Sequence, residues 1–244
     1  VPQSTTTDLI VQSLHVSRFG TYARAAGGDM KLALRLYLWN LDLAAAFHSC
    51  LSVTEVLLRN AMDAQLRTWN AAQARADGGT FPAEWLDDAA KPLHSLTSGA
   101  RSTARVNAGK ARAARPTEHP RKHEPITHDD VLAQLTFGVF VRLLPTTDVD
   151  DKTHRGRQVL WDEALAQAFP GAKDDPEGKI IASRVGRIHA LRNRVAHMEP
   201  LLEVNVKARH RDMIQIVGAI DPRLQGWFAS VSQLHEVVRR RPTT

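Results

Sequence analysis

Apolar residues recur along this chain at steps of three and four, and no stretch alternates with period two over the length of a strand. The pattern therefore predicts helices alone. Asp8 to Phe19 reads as a short helix with Ile10, Leu14 and Phe19 on its apolar side, closed by Gly27-Gly28. Asp29 is placed to cap the next helix. Met30 to Asn70 contains neither Gly nor Pro, so it is one very long helix or two with a break near His48-Ser49. Cys50, Val53, Leu57 and Ala61 line one face of its second half, and Leu51, Leu58 and Met62 widen that stripe.

Gly78-Gly79 and Pro82 mark a loop, and a helix from Glu84 fades beyond Thr97 toward Ala114. Asp129 or Asp130 caps a helix through Leu135, Gly138 interrupts, and Val139–Leu144 continues to Pro145. After a polar loop at 146–155, Gln158–Phe169 is amphipathic through Trp161, Leu165 and Phe169 and stops at Pro170-Gly171. Lys179–His197, Leu201–Ile220 and Trp227–Arg241 complete an all-α reading. Residues 1–244 are expected to form one domain, with 97–126 as a basic, partly flexible insertion.

Composition adds little to this, but charge adds a place. The net charge is +6, and residues 99–123 hold seven Lys and Arg against Glu118 alone, so this one block equals the whole excess. Such a block contacts nucleic acid or is a solvated linker. Arg112 and Arg115 are its candidate RNA contacts. The single cysteine, Cys50, excludes an intramolecular disulfide framework and a multi-cysteine zinc site. It points to a reducing, cytoplasmic setting. The chain opens Val1-Pro2 with no signal peptide, and no apolar run reaches the length of a membrane span. Membrane partners are not expected. His119, His123 and His128 lack the companions of a metal site, and no phosphate-binding Gly loop or Gly-x-Ser-x-Gly turn occurs. No metal or cofactor is expected.

The chemistry concentrates in LRNRVAHMEP at 191–200. Ile181, Val185, Ile188, Leu191 and Val195 form one stripe, and Arg192 falls about 20° from Ile181, inside it. An unpaired charge on a buried face is costly, so such an arginine is paired, led to a groove, or used. Asn193 and His197 share a face, four residues apart. Pro200 forces the helix to end soon after, which puts His197 in the last turn. Basic residues there are ordinary helix caps. They also suit phosphodiester cleavage, in which one group moves a proton and an arginine stabilises the phosphorane. Arg184, Arg187 and Arg194 extend the basic surface, as do Lys207, Arg209 and Arg211 on the next helix, where 204–211 holds no acid. Glu55 either pairs with Arg59 within its helix or reaches across to orient Arg192.

LRNRVAHMEP resembles the signature of the HEPN superfamily, and most closely its Abi-like branch of bacterial abortive-infection proteins. RLYLWNLDLAAAF (35–47), TEVLLRNAMDAQL (54–66), DDVLAQLTFGVFVRLL (129–144) and LW followed by AFP (160–170) extend the likeness across about residues 20–240. The resemblance implies a HEPN-type bundle of long antiparallel helices with additional C-terminal helices. It implies a homodimer through the motif helices and a metal-independent endoribonuclease whose RNA 2′-hydroxyl attacks the adjacent phosphate. In this chain Arg192 would stabilise the phosphate, Asn193 would be the polar member, His197 the acid/base, and Glu55 a supporting carboxylate. The biological role implied is a toxin or anti-phage effector, with a neutralising antitoxin as a further partner. Relatives often carry a second histidine where this chain has Met198, and some are non-catalytic RNA binders or regulatory modules.

Overall fold

The computed structural model describes residues 6–243. Positions 1–5 and 244 of the expected domain lie outside the described residues. The described residues form eleven α-helices, one short 3₁₀ helix and no strand; a single isolated bridge joins Ala74 and Thr80. The helices are α1 (Thr6–Ser13), α2 (Val16–Ala25), α3 (Met30–Ala71), α4 (Leu93–Ala113), α5 (His128–Leu132), α6 (Phe137–Leu143), α7 (His154–Glu163), α8 (Lys179–Ala196), α9 (Val206–Ile220), α10 (Pro222–Val231) and α11 (Leu234–Arg239). The 3₁₀ helix, Leu165–Ala168, comes directly after α7.

α3 is the axis of the molecule. Without Gly or Pro its 42 residues run unbroken past His48-Ser49, a rod of about 63 Å. Asp29 caps it, accepting from the Lys31 and Leu32 amides at 2.9 and 3.1 Å. An 18-residue window of α3 has mean hydropathy 1.4, long and apolar enough for a membrane span by length and composition. The sequence reading missed this because isolated polar residues interrupt the run without lowering its average much. In the fold α3 is the core helix, with Leu43, Phe47, Leu58, Met62 and Leu66 wholly buried. Around it pack α2, α6, α8, α9, α11 and the 3₁₀ helix. Val53, Leu57 and Ala61, expected inside with Cys50, are only half-buried.

Buried polar groups on α3 fix the connections. Asn70 donates to the Pro82 and Asp88 carbonyls at 2.6 and 2.8 Å and accepts from the Ala90 amide at 2.9 Å, which shapes the loop between α3 and α4. Trp39 Nε1 reaches the Val237 carbonyl in α11 at 2.8 Å. Trp69 Nε1 reaches Glu163 at the end of α7, also at 2.8 Å.

Several expected boundaries move, each for a local reason. The Asp8–Phe19 helix is two, because His15 sits at φ 63° and starts α2. α4 begins only at Leu93 and then continues through Gly99 and Gly109 to Ala113, so residues 97–113 of the expected insertion are helix. Thr127, not an aspartate, caps α5, in a reciprocal capping box with Asp130. Gly138 lies inside α6, and α9 starts at Val206, where Asn205 caps it.

Candidate functional site

The motif helix α8 is held at both ends. Gly178 precedes it in a left-handed conformation, and the Asp175 carboxylate accepts from the Ile180 and Ile181 amides at 3.0 and 2.7 Å. A buried carboxylate at a helix start neutralises the first-turn donors and the positive end of the dipole. At the other end His197 is the C-cap and Met198 takes φ 54°. The His197, Met198 and Glu199 amides return to the Asn193, Val195 and Arg194 carbonyls. Asn40 of α3, itself buried, then accepts from the Leu201 amide at 2.7 Å and pins the chain just beyond the motif.

Ile181, Val185, Ile188 and Leu191 are buried as the stripe predicts, but Val195 is only half-buried. α8 has left the core by its last turn. Arg192, expected on the buried face, keeps 40% of its side chain exposed for that reason. Its Nε lies 3.8 Å from Glu55 Oε2, while Glu55 Oε1 accepts from Arg59 Nη2 at 3.0 Å. Both expected partners of Glu55 are thus present, with Arg59 the tighter.

One residue the sequence reading did not single out stands beside them. His189 precedes Arg192 by three positions and Asn193 by four, and Asn193 Nδ2 lies 3.4 Å from its Nε2. The ring sits edge-on to Phe137 at 5.6 Å. It needs Gly138 below it, where a Cβ would come within 3.3 Å of Nε2. Burial pushes the His189 pKa below the ordinary histidine value; the nearby Arg192 and Arg142 guanidinium groups add to this, and Glu55 opposes it. The spacing alone could have found His189, because i+3 and i+4 neighbours share a face. Arg142 comes from α6 and gave no such signal. α3, α6 and α8 together assemble a mostly half-buried patch of three arginines, one carboxylate, one amide and one histidine.

His197 is exposed at the helix end. Around the helix axis it lies about 40° from Asn193 and about 140° from Arg192. Three of the remaining basic residues are engaged in ion pairs. Arg187 donates to Asp212 from Nε and Nη2 at 3.0 and 2.6 Å, and Arg209 pairs with the same carboxylate at 3.1 Å. Asp212 is buried and lies one position beyond the acid-free stretch. Arg194 is held by Glu199 at 3.3 Å and by the Pro200 carbonyl. These three arginines ring a cavity of about 340 Å³ between α8 and α9. Arg187 and Arg209 thus tie α8 to α9 through Asp212, and Arg194 closes the end of α8, so all three expected RNA contacts are already engaged in ion pairs.

The basic block is spent in a similar way. Arg101 is buried against the Trp85 carbonyl and His94; Arg105 binds Asp87 and the Leu86 carbonyl. Arg115 and Arg121 share Asp130, and Lys122 caps the end of α4 through the Ala113 and Arg115 carbonyls. Arg115 is therefore also an anchor. Arg112, Arg184, Lys207 and Arg211, by contrast, make no ion pair among the described residues. His128, read as a loop histidine, is buried on Asp63 at 2.8 Å. Comparison of the chain with family models, with curated proteins and with solved structures finds no match. The functional reading therefore rests on side-chain chemistry and on the motif.

Proposed function

We propose that this all-α protein is a metal-independent endoribonuclease of the HEPN type, acting as a toxin or anti-phage effector. The observation that carries the reading is Arg192. It is a half-exposed guanidinium tethered on one side by Glu55, with Asn193 and His189 on the adjoining face of α8. A guanidinium so placed, held near the patch by charge and not by a hydrogen bond, offers its N–H donors to a phosphate.

In the reaction proposed, the RNA 2′-oxygen forms a bond to the adjacent phosphorus as the bond to the 5′-oxygen breaks. The products are a 2′,3′-cyclic phosphate and a free 5′-hydroxyl. Arg192 takes up the charge that grows on the phosphorane. A histidine accepts the 2′-hydroxyl proton, and another returns a proton to the leaving oxygen. His189, held below the ordinary histidine pKa, suits the acceptor. His197 suits the second role, but it lies about 12 Å farther along the helix axis. A cleft shared by the motif helices of two copies relieves that distance, so a homodimer is part of the proposal.

Incubation with transfer and ribosomal RNA in EDTA tests it. Cleavage products with 5′-hydroxyl ends are expected, and Arg192→Ala or His197→Ala should abolish them. Cleavage that survives Arg192→Ala places the chemistry elsewhere. Salt-sensitive RNA binding without products instead assigns a binding module.

A further inference from the structure

Next to the Arg192 patch, and sharing Arg59 with it, lies a cavity of about 350 Å³ between α3 and α5. Arg59, Asn60, Asp63, Asp129, Leu132 and Ala133 line it. Asp63 gives it an unusual wall. Its side chain is 9% exposed, yet it sits on the core helix. Oδ1 accepts from Trp85 Nε1 and from His128 Nε2, each at 2.8 Å. Among the described residues Oδ2 accepts nothing. Two donors thus lock the carboxylate, and its second oxygen is left for whatever enters the cavity. Arg59 adds a second unmet group, since its Nε is buried without a partner.

A locked carboxylate only accepts hydrogen bonds, so it selects a ligand edge made of donors. Among the described residues no group of three or more His, Cys, Asp or Glu side chains could hold a metal ion, and an organic ligand with a donor edge fits the locked carboxylate. Guanine is the base whose Watson–Crick edge places two donors, N1–H and the N2 amine, side by side. The exposed Asp129 carboxylate and the Asn60 amide add an acceptor and a donor at the rim, and Leu132 and Ala133 offer an apolar wall for the base face. Single-stranded RNA is commonly read this way, with the base turned out and its pairing edge hydrogen-bonded.

We propose that this cavity is a nucleobase subsite selecting guanine next to the phosphate bound at Arg192. The assignment rests on the RNA reading above. It also makes a prediction that does not need cleavage.

The probes are guanosine, inosine and adenosine 3′-monophosphates, titrated against the full chain by calorimetry. Guanosine is expected to bind at least about tenfold more tightly than inosine, which lacks the N2 amine, or adenosine, because a site that hydrogen-bonds a ligand's donors discriminates against the analogue lacking them. Asp63→Asn keeps an oxygen for Trp85 and His128 but turns the free oxygen into an amide donor, so the preference should vanish. Asp129→Ala, at an exposed position, should weaken guanosine selectively and serves if Asp63→Asn fails to fold. Equal affinity for the three nucleotides, no binding, or a preference unchanged by both substitutions overturns the subsite. Guanine-selective binding with no RNA cleavage keeps the subsite and removes the nuclease. Cleavage without guanine at the cut sites does the reverse.

Discussion

Replacing Gly178 with alanine attacks the start of the motif helix in two ways. Gly178 lies at φ 71°, where a Cβ costs about 1–2 kcal/mol. The added carbon would also sit 2.5 Å from Trp161 Cδ2 and Cε2. That ring cannot step aside, because it is 1% exposed, donates to the Pro176 carbonyl at 2.8 Å and stacks on Phe169 at 5.7 Å. Overpacking of this sort costs about 1–3 kcal/mol. Loss of unfolded-state freedom returns about 0.4–1 kcal/mol, for a net destabilisation of about 1–5 kcal/mol. Against a typical domain stability of about 5–15 kcal/mol, that is a large share. Urea unfolding followed by circular dichroism should show a lower midpoint with an unchanged slope. Gly186→Ala is the control, since it lies mid-helix with nothing within 4 Å of a new Cβ, and it should gain about 0.5–1 kcal/mol. A Gly178→Ala midpoint at or above that of the wild type would refute the reasoning.

Acidification should destabilise the fold through His189 and His210. Burial lowers both pKa values in the folded state, with Arg192 and Arg142 adding to it at His189 and His235 adding to it at His210. Each folded pKa lies below the unfolded value of about 6.5, so the unfolded chain binds more protons in that window. Stability is therefore full above about pH 6.5 and falls as pH drops through the window toward the folded pKa values. His189→Gln should flatten part of that slope in thermal melts, and an unchanged slope would remove His189 as a source. Asp212→Asn should release Arg187 and Arg209, costing about 1–3 kcal/mol after allowance for their partial exposure. The same variant should raise salt-sensitive RNA affinity in filter binding; an affinity that does not rise would show that these arginines do not reach RNA even when freed.

Much of the fold was legible because punctuation and periodicity agree. The absence of Gly and Pro marked α3 as continuous helix but left a break near His48-Ser49 open, and α8 was read from a five-residue stripe ending before Pro200. α4 was read only as a helix fading beyond Thr97, because Gly99, Gly109 and a run of cations look like a linker when their partners are distant. Asp87 and Asp130 neutralise Arg105, Arg115 and Arg121 only after folding. The same distance hid the anchoring of Arg187 on Asp212; the Arg209–Asp212 pair is local, three residues apart, and was passed over because Asp212 stands just past the acid-free stretch at 204–211. Arg192 was expected on the buried face and is half-exposed, since a helical wheel does not register where a helix emerges from its neighbours. His189 carried a spacing signal that went unused, and Asp63 none, because its value lies in which of its two oxygens Trp85 and His128 leave open.

The uneven grip of Glu55 has a consequence of its own. With Arg59 at 3.0 Å and Arg192 at 3.8 Å, the carboxylate is not stranded when Arg192 turns away. An anion arriving at the patch can therefore draw that guanidinium outward against a slack tether, while a second cation keeps the acid neutralised behind it. The helix surface is set up for exchange of counterions in place of creation of a new buried charge.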